Sequence, residues 1–271
     1  MPRVWCCRLK EAKWQRRLWT PEVLNPGIFV SAQFPENQIS SSGFTQIKNR
    51  GSACSYWQPN PTYAYLDYQY GVPAFRLDDA GSSSRGYSMD TGTYSLQPSN
   101  GFSAYAFGVV NPGSPNYTQT LSQFTNANSV MLAMNVAQSF QIALYDGGWR
   151  SRSVNTQGIA SLAKYYMSQR KTSSSASSFT DTLRSSDTSK NSSGSIACGT
   201  SSMAATGVGF LGHASSNADS KYIVYSMLHF QRYLTDVEDA LVVGWGAWSS
   251  NMQAILPADH RFKNRPPLIG D

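Results

Sequence analysis

The chain has 271 residues, 41% of them hydrophobic and only 14% charged, where an ordinary globular domain carries ~25% charged residues. Ser, Thr, Gly, Asn and Gln make up the difference, giving a polar, weakly charged surface that argues against a typical cytosolic α/β enzyme and suits contact with sugars or other protein surfaces. The net charge of +6 is local: Arg3, Arg8, Lys10, Lys13, Arg16 and Arg17 against Glu11 carry +5 of it, so the remainder is nearly neutral, and no zinc-finger, RRM or basic-zipper pattern accompanies the charge to predict sequence-specific nucleic-acid binding.

Residues 1–18 read as a basic N-terminal arm and residues 19–271 as a single domain. Within the arm Trp5, Leu9 and Ala12 recur at helical spacing, and Trp14 and Trp19 lie close by. Its functional reading is a docking segment on an acidic partner surface, set against a solvated, frayed terminus. The arm has no apolar core long enough for a signal peptide, and no apolar run approaches the ~20 residues of a membrane span. Cys6, Cys7, Cys54 and Cys198 show no zinc-ligand spacing and are expected as free thiols.

After the arm, Trp19-Thr20-Pro21 leads into a first strand over 27–32. A Ser/Gly turn precedes a second at 44–47, and Asn49-Arg50-Gly51 closes it with residues that tolerate positive φ. An aromatic stretch follows, with Tyr56, Trp57, Tyr63, Tyr65, Tyr68 and Tyr70. Further strands are expected at 102–110, 129–136, 140–145, 149–154, 196–199, 207–212 and 221–232, many alternating apolar and polar residues at period two. Asp146-Gly147-Gly148 marks a hairpin between two of them. Only residues 160–195 break the rhythm, their Ser/Thr-rich runs reading either as long surface loops or as strands with polar outer faces.

The chain closes on a capped helix. Thr235 and Glu238 form an S/T-x-x-E capping box, and Val237, Leu241, Gly244 and Trp248 recur at helical spacing, so that one face of the helix lids a β body. The acidic trio Asp236, Glu238 and Asp239 is thereby read as capping rather than catalysis. Many short strands with one late helix predict an all-β, two-sheet antiparallel sandwich.

Four ordered segments carry a family resemblance: Trp19-Thr20-Pro21; Asn49-Arg50-Gly51 followed by Pro61-Thr62-Tyr63; Gly71-Val72-Pro73-Ala74-Phe75-Arg76-Leu77-Asp78; and a closing block with Tyr225, Arg232-Tyr233-Leu234-Thr235, Glu238, Gly244, Trp248 and Leu256-Pro257-Ala258-Asp259-His260-Arg261-Phe262. Over residues 19–265 the chain resembles the laminin-G-like, concanavalin A-like jelly-roll domains of tailed-bacteriophage structural proteins. Two departures stand out: Cys54, Tyr56 and Trp57 replace smaller polar residues, and the basic arm lies outside the pattern. The resemblance implies a non-enzymatic virion component, either capsid decoration or part of a tail fibre or baseplate. It would be assembled in the host cytoplasm beside other virion proteins and present as a homo-oligomer or in repeated copies.

The chemistry of single residues adds two alternatives. A lectin-like, glycan-binding module needs an exposed aromatic platform with polar partners, and Tyr63, Tyr65, Tyr68 and Tyr70 with Asp67 form the candidate row, weighed against burial of the same rings in a core or an interface. A glycoside hydrolase of this fold class would use Glu-x-Asp-x-x-Glu on one strand. None of Glu11, Glu22, Glu36 and Glu238 is followed by Asp two positions later, and no G-x-S-x-G elbow accompanies His213, His229 or His260. No cofactor is expected; for calcium, Asp67, Asp78, Asp79 and Asp90 are the oxygen ligands to consider, though their spacing is not diagnostic.

Overall fold

The computed structural model describes residues 18–41, 43–60, 65–68, 71–78, 86–89, 94–109, 119–125, 130–135, 139–145, 149–155, 163–199, 203–204, 207–210 and 221–271. The strands in chain order begin β1 (Ile28–Ser31), β2 (Gln38–Ser40), β3 (Gly43–Lys48), β4 (Tyr56–Asn60), β5 (Tyr65–Asp67), β6 (Ala74–Asp78), β7 (Gly86–Met89), β8 (Ser95–Gln97) and β9 (Phe102–Val109). They continue with β10 (Gln119–Thr125), β11 (Val130–Asn135), β12 (Ser139–Tyr145), β13 (Trp149–Asn155), β14 (Lys164–Lys171), β15 (Ser178–Ser185), β16 (Ser192–Ala197), β17 (Met203–Ala204), β18 (Gly207–Phe210) and β19 (Lys221–Phe230). One α-helix among the described residues, α1 (Asp236–Ser249), follows. It is too short to cross a membrane.

Every strand pairing among the described residues is antiparallel. One sheet runs β16-β15-β14-β9-β19-β6-β5, and the other β13-β12-β11-β10-β18-β7-β4-β3-β2. In the first sheet β19 pairs with β9 along one side, while its other side is shared by β6 and then β1. The expected hairpin across 146–148, residues outside those described, is bracketed by the Tyr145↔Trp149 pair of β12 and β13. The ambiguous stretch 160–195 resolves as strands: β14 and β15 form a hairpin, and β16 begins at Ser192, inside the second Ser-rich run. In β15 and β16 polar outer faces explain why no apolar rhythm marks them, whereas β14 is buried on both faces with Ser168, Gln169 and Lys171 among its buried residues. In β15 Phe179, Asp181, Leu183 and Ser185 point inward, and the intervening residues take the outer side.

Alternation divides the apolar side chains between two cores. In β9, Phe102, Ala104 and Ala106 enter the space between the sheets with Phe44, Trp57, Phe75, Ile142 and Met167. Tyr105, Phe107 and Val109 face the other way, under α1, with Phe29, Tyr225, Leu228 and Phe230. With both faces covered, all of β9 is buried. A register shift between Val224 and Ser226 of β19 keeps this division, since the extra residue lets Val224 and Met227 both reach the inter-sheet core while Tyr225 and Leu228 face the helix.

The capping box of α1 forms as expected: the Glu238 N–H donates to Thr235 Oγ1 at 3.3 Å, and the Thr235 N–H donates to Glu238 Oε2 at 2.9 Å. Such a cap is worth ~0.5–2 kcal/mol, whereas each large aliphatic side chain buried from the helix contributes ~1.5–3 kcal/mol. The cap therefore sets where α1 begins, and Leu241, Val242 and Val243 hold it to the sheet. Gly246 brings the helix backbone close, because a Cβ there would lie 2.1 Å from the Phe107 ring.

Val237, expected on the packed face, is 56% exposed. The first turn meets the sheet through Asp239 instead, which accepts a hydrogen bond from the Tyr105 hydroxyl at 2.7 Å and lies 3.4 Å from the Arg170 guanidinium. Val237, two residues earlier, is thereby rotated outward. Of the acidic trio, then, only Glu238 works as a cap; Asp236 and Asp239 are tied to Arg170.

Candidate functional site

The loop after β3 builds one wall of the site, and it does so differently from the sequence expectation. None of Asn49, Arg50 and Gly51 has positive φ. Asn49 is 2% exposed, and its side chain supplies the edge of β1 with a partner. Its Oδ1 accepts from the N–H groups of Phe29 at 2.7 Å and Gly51 at 3.1 Å, and its Nδ2 donates to the carbonyls of Cys54 at 2.9 Å and Gly27 at 3.2 Å. The Arg50 N–H then donates to the Phe29 carbonyl. Gly51 is required by crowding, since a Cβ would stand 2.3 Å from the Gly27 carbonyl oxygen.

Fixed in this way, Arg50 lays its guanidinium over the Phe34 ring, 4.1 Å from the centroid. Glu36 takes it with both carboxylate oxygens at 2.9 Å, and Glu22 lies 3.5 Å away. The hydrogen bond to Arg50 holds the Glu36 carboxyl below the usual range. Arg50 is thus a neutralised donor rather than a free cation.

Opposite stands the end of α1. Trp245 and Trp248 sit three residues apart and Ser249 follows, so they share a helix stripe. Trp245 meets Phe29 edge-on at 5.1 Å, and Trp248 Nε1 donates to the Phe262 carbonyl at 2.7 Å, which fixes the indole. Trp19 is held by its N–H on the Pro267 carbonyl and by a bridge between Leu18 and Leu268. Gln33 Nε2 donates to the Ser249 carbonyl at 2.6 Å. Together these groups enclose a pocket of about 450 Å³, walled by Trp19, Phe29, Phe34, Trp245, Trp248, Pro266 and Pro267, with Thr20, Ser31, Gln33, Arg50 and Ser249 as its polar groups.

The residues singled out from the sequence lie elsewhere. Tyr65 and Tyr68 are 50% and 63% exposed, on and just after the edge strand β5. Asp67, named as the hydrogen-bonding partner of the rings, lies on the same face of β5 as Tyr65; it is 6% exposed and paired with Arg76 at 3.1 Å. Tyr63 and Tyr70 lie outside the described residues, as do Arg3, Trp5, Arg8, Lys10, Lys13, Arg16 and Arg17 of the arm. Among the calcium candidates Asp67 is engaged by Arg76, Asp78 closes β6, and Asp79 and Asp90 are outside the described residues. Among the described residues no three His, Cys, Asp or Glu side chains gather to hold a metal ion. Cys54 and Cys198 are free thiols, and burial pushes Cys54 up to about 11. The pocket residues Phe29, Phe34, Arg50 and Trp245 were missed. Two signals pointed to them: the i, i+3 tryptophan pair and the Asn-Arg-Gly loop.

Two stacked antiparallel sheets, a capped helix and an aromatic pocket beside it define a jelly-roll β-sandwich. Solved structures share this fold. The crystal structure of the botulinum neurotoxin serotype D binding domain aligns with a TM-score of 0.55 at 9% identity, covering 81% of this chain and 51% of that one. The receptor-binding domain of botulinum neurotoxin mosaic serotype C/D aligns with a TM-score of 0.52 at 8% identity, covering 81% and 50%. The chain spans about half the length of these structures. At such identities the likeness is one of fold. No family model matches the chain, and neither does any curated protein.

Proposed function

We propose that this chain is a glycan-binding β-sandwich module and that the pocket between α1 and the Asn49–Gly51 loop is its site. The observation that carries the reading is the pairing of aromatic walls with polar groups that include no unpaired cation, since Arg50, the one charged group of the lining, is answered by Glu22 and Glu36. A saccharide has that character: it offers apolar C–H faces to rings and hydroxyls to amide, hydroxyl and guanidinium groups. The pocket volume lies within the ~300–1,000 Å³ usual for small-ligand sites. The two solved structures that share the fold are a binding domain and a receptor-binding domain, in keeping with recognition at a surface. In this reading the module binds rather than hydrolyses: the Glu36 carboxyl beside the pocket is held in its ionised form by the Arg50 hydrogen bond, the opposite of what a general acid requires.

The test is a glycan array on the full chain, followed by titration of the best neutral oligosaccharide. Saturable binding that Trp248→Ala abolishes, Gln33→Ala weakens and Tyr65→Ala leaves intact is the expected result. Binding indifferent to Trp248→Ala in a protein of unchanged thermal midpoint would place the site elsewhere, and release of shorter sugars during incubation would restore the hydrolase.

A second reading sets the module in a bacteriophage particle, with residues 1–18 anchoring it to neighbouring virion proteins. It is supported by the sequence resemblance of the closing block, where Arg232 and Glu238 pair at 2.7 Å directly on the capping box. Deleting residues 1–17 should leave the sandwich folded and abolish incorporation into particles; unimpaired incorporation refutes the anchoring role.

A further inference from the structure

We propose a second ligand site, distinct from the aromatic pocket, in which Arg184 receives an oxyanion: a carboxylate or sulfate group carried on a saccharide. Arg184 sits near the end of β15, opposite Tyr166 in register and beside its hydroxyl. It lines a cleft of about 410 Å³ closed by the turn after β15 and by Leu256 and Pro257.

Arg50 is matched by two glutamates, whereas none of the ion pairs among the described residues uses Arg184. Two carboxylates on neighbouring elements, Asp187 and Asp239, are taken up elsewhere. Asp187 turns into its own loop, accepting from the Ser189 N–H at 3.1 Å and hydroxyl at 2.7 Å. Asp239, whose charge also acts on Tyr166, holds Tyr105 and Arg170. A half-buried guanidinium without a counter-charge is completed by an anion, and its planar fork matches carboxylate and sulfate oxygens.

The other polar groups of the cleft are left as donors. Ser186 Oγ accepts from the Lys164 N–H at 3.1 Å, so its hydroxyl proton remains to be given. Asn191 Oδ1 accepts from the Ser185 N–H at 2.8 Å, which leaves the amide NH₂ for the cleft that Asn191 lines. Thr188 adds a hydroxyl. One cation and three donors over an apolar floor define an oxyanion site, and the floor suits the carbon skeleton that carries the anion. The saccharide half of the proposal rests on the glycan reading; the anion half does not.

The experiment titrates the full chain with a uronate oligosaccharide, a sulfated oligosaccharide, a neutral oligosaccharide of equal length and inorganic sulfate, in wild type, Arg184→Gln, Arg184→Lys and Trp248→Ala. The acidic oligosaccharides should bind about tenfold more tightly than the neutral one, an advantage that shrinks as NaCl is raised. Arg184→Gln should remove it, Arg184→Lys should keep part of it, and Trp248→Ala should leave it in place while neutral binding is lost. Equal affinity for acidic and neutral sugars, or an acidic preference that survives Arg184→Gln, overturns the site. Inorganic sulfate binding as tightly as the sulfated sugar overturns the saccharide carrier, and a wild type that binds the acidic sugars but not the neutral one counts against the aromatic pocket only.

Discussion

Replacing Asn49 probes how much of the fold and of the pocket hangs on one side chain. Asn49→Ala removes four hydrogen bonds of 3.2 Å or less from a buried position. Two losses dominate. The Phe29 N–H, which points away from β19, and the Cys54 carbonyl each lose a short partner, and a stranded buried backbone group costs ~1–3 kcal/mol. The Gly27 carbonyl loses less, because it also accepts from the Ala53 N–H. The expected destabilisation is ~3–5 kcal/mol, read as a fall in urea midpoint at unchanged m-value. Asn49→Asp keeps the acceptor toward Phe29 and Gly51 but turns a carboxylate toward the Gly27 and Cys54 carbonyls, so at pH 7 it should be no more stable than the alanine variant. Its buried acid would have a raised folded-state pKa, so protonation favours the native state, and the deficit of Asn49→Asp should shrink as pH falls while that of Asn49→Ala stays flat. A loss below ~1 kcal/mol for Asn49→Ala, or an aspartate variant as stable as wild type at neutral pH, would refute the assignment of the loop to this side chain.

Two further outcomes follow from the capped helix and the pocket. Arg232 and the Thr235 cap hold Glu238 down to about 2; a depressed carboxylate contributes stability above its unfolded pKa of ~4.3 and loses it as pH falls toward the folded value. Glu238→Gln should therefore trail wild type by ~1–2 kcal/mol from pH 5 upward, with the gap closing between about pH 4.5 and pH 2 in acid-denaturation curves; a gap independent of pH would exclude the ionised cap. In the pocket, Trp248→Ala should weaken neutral-glycan binding by at least ~tenfold and Gln33→Ala by about three- to tenfold, both measured by calorimetry; a Gln33 variant weaker than the tryptophan variant would move the binding energy from the rings to the polar groups.

Much of the framework was legible because its signals are local. Thr235 and Glu238 are three residues apart and announce a helix start wherever they fall, and the short, nearly continuous apolar run from Phe102 to Val109 reads as a buried strand without any knowledge of its neighbours. The stretch 160–195 was ambiguous for the same reason, since serine on the outer face of β15 leaves no hydropathy contrast to read. Val237 was misplaced because helical spacing says which residues share a face but not which face is turned to the sheet; the Asp239 contact with Tyr105, 134 positions away, decided that.

Sequence alone determined an antiparallel β chain ending in one capped helix, and its ordered motifs pointed to a jelly roll. Tertiary structure decided the sites. The aromatic pocket joins Trp19, Arg50, Trp248 and Pro267 from four separate parts of the chain, and whether an arginine is neutralised or uncompensated depends on which carboxylates folding delivers to it: two to Arg50 and, among the described residues, none in an ion pair with Arg184. Charge balance and enclosure are properties of groups brought together in space, and no periodicity within a window of residues encodes them.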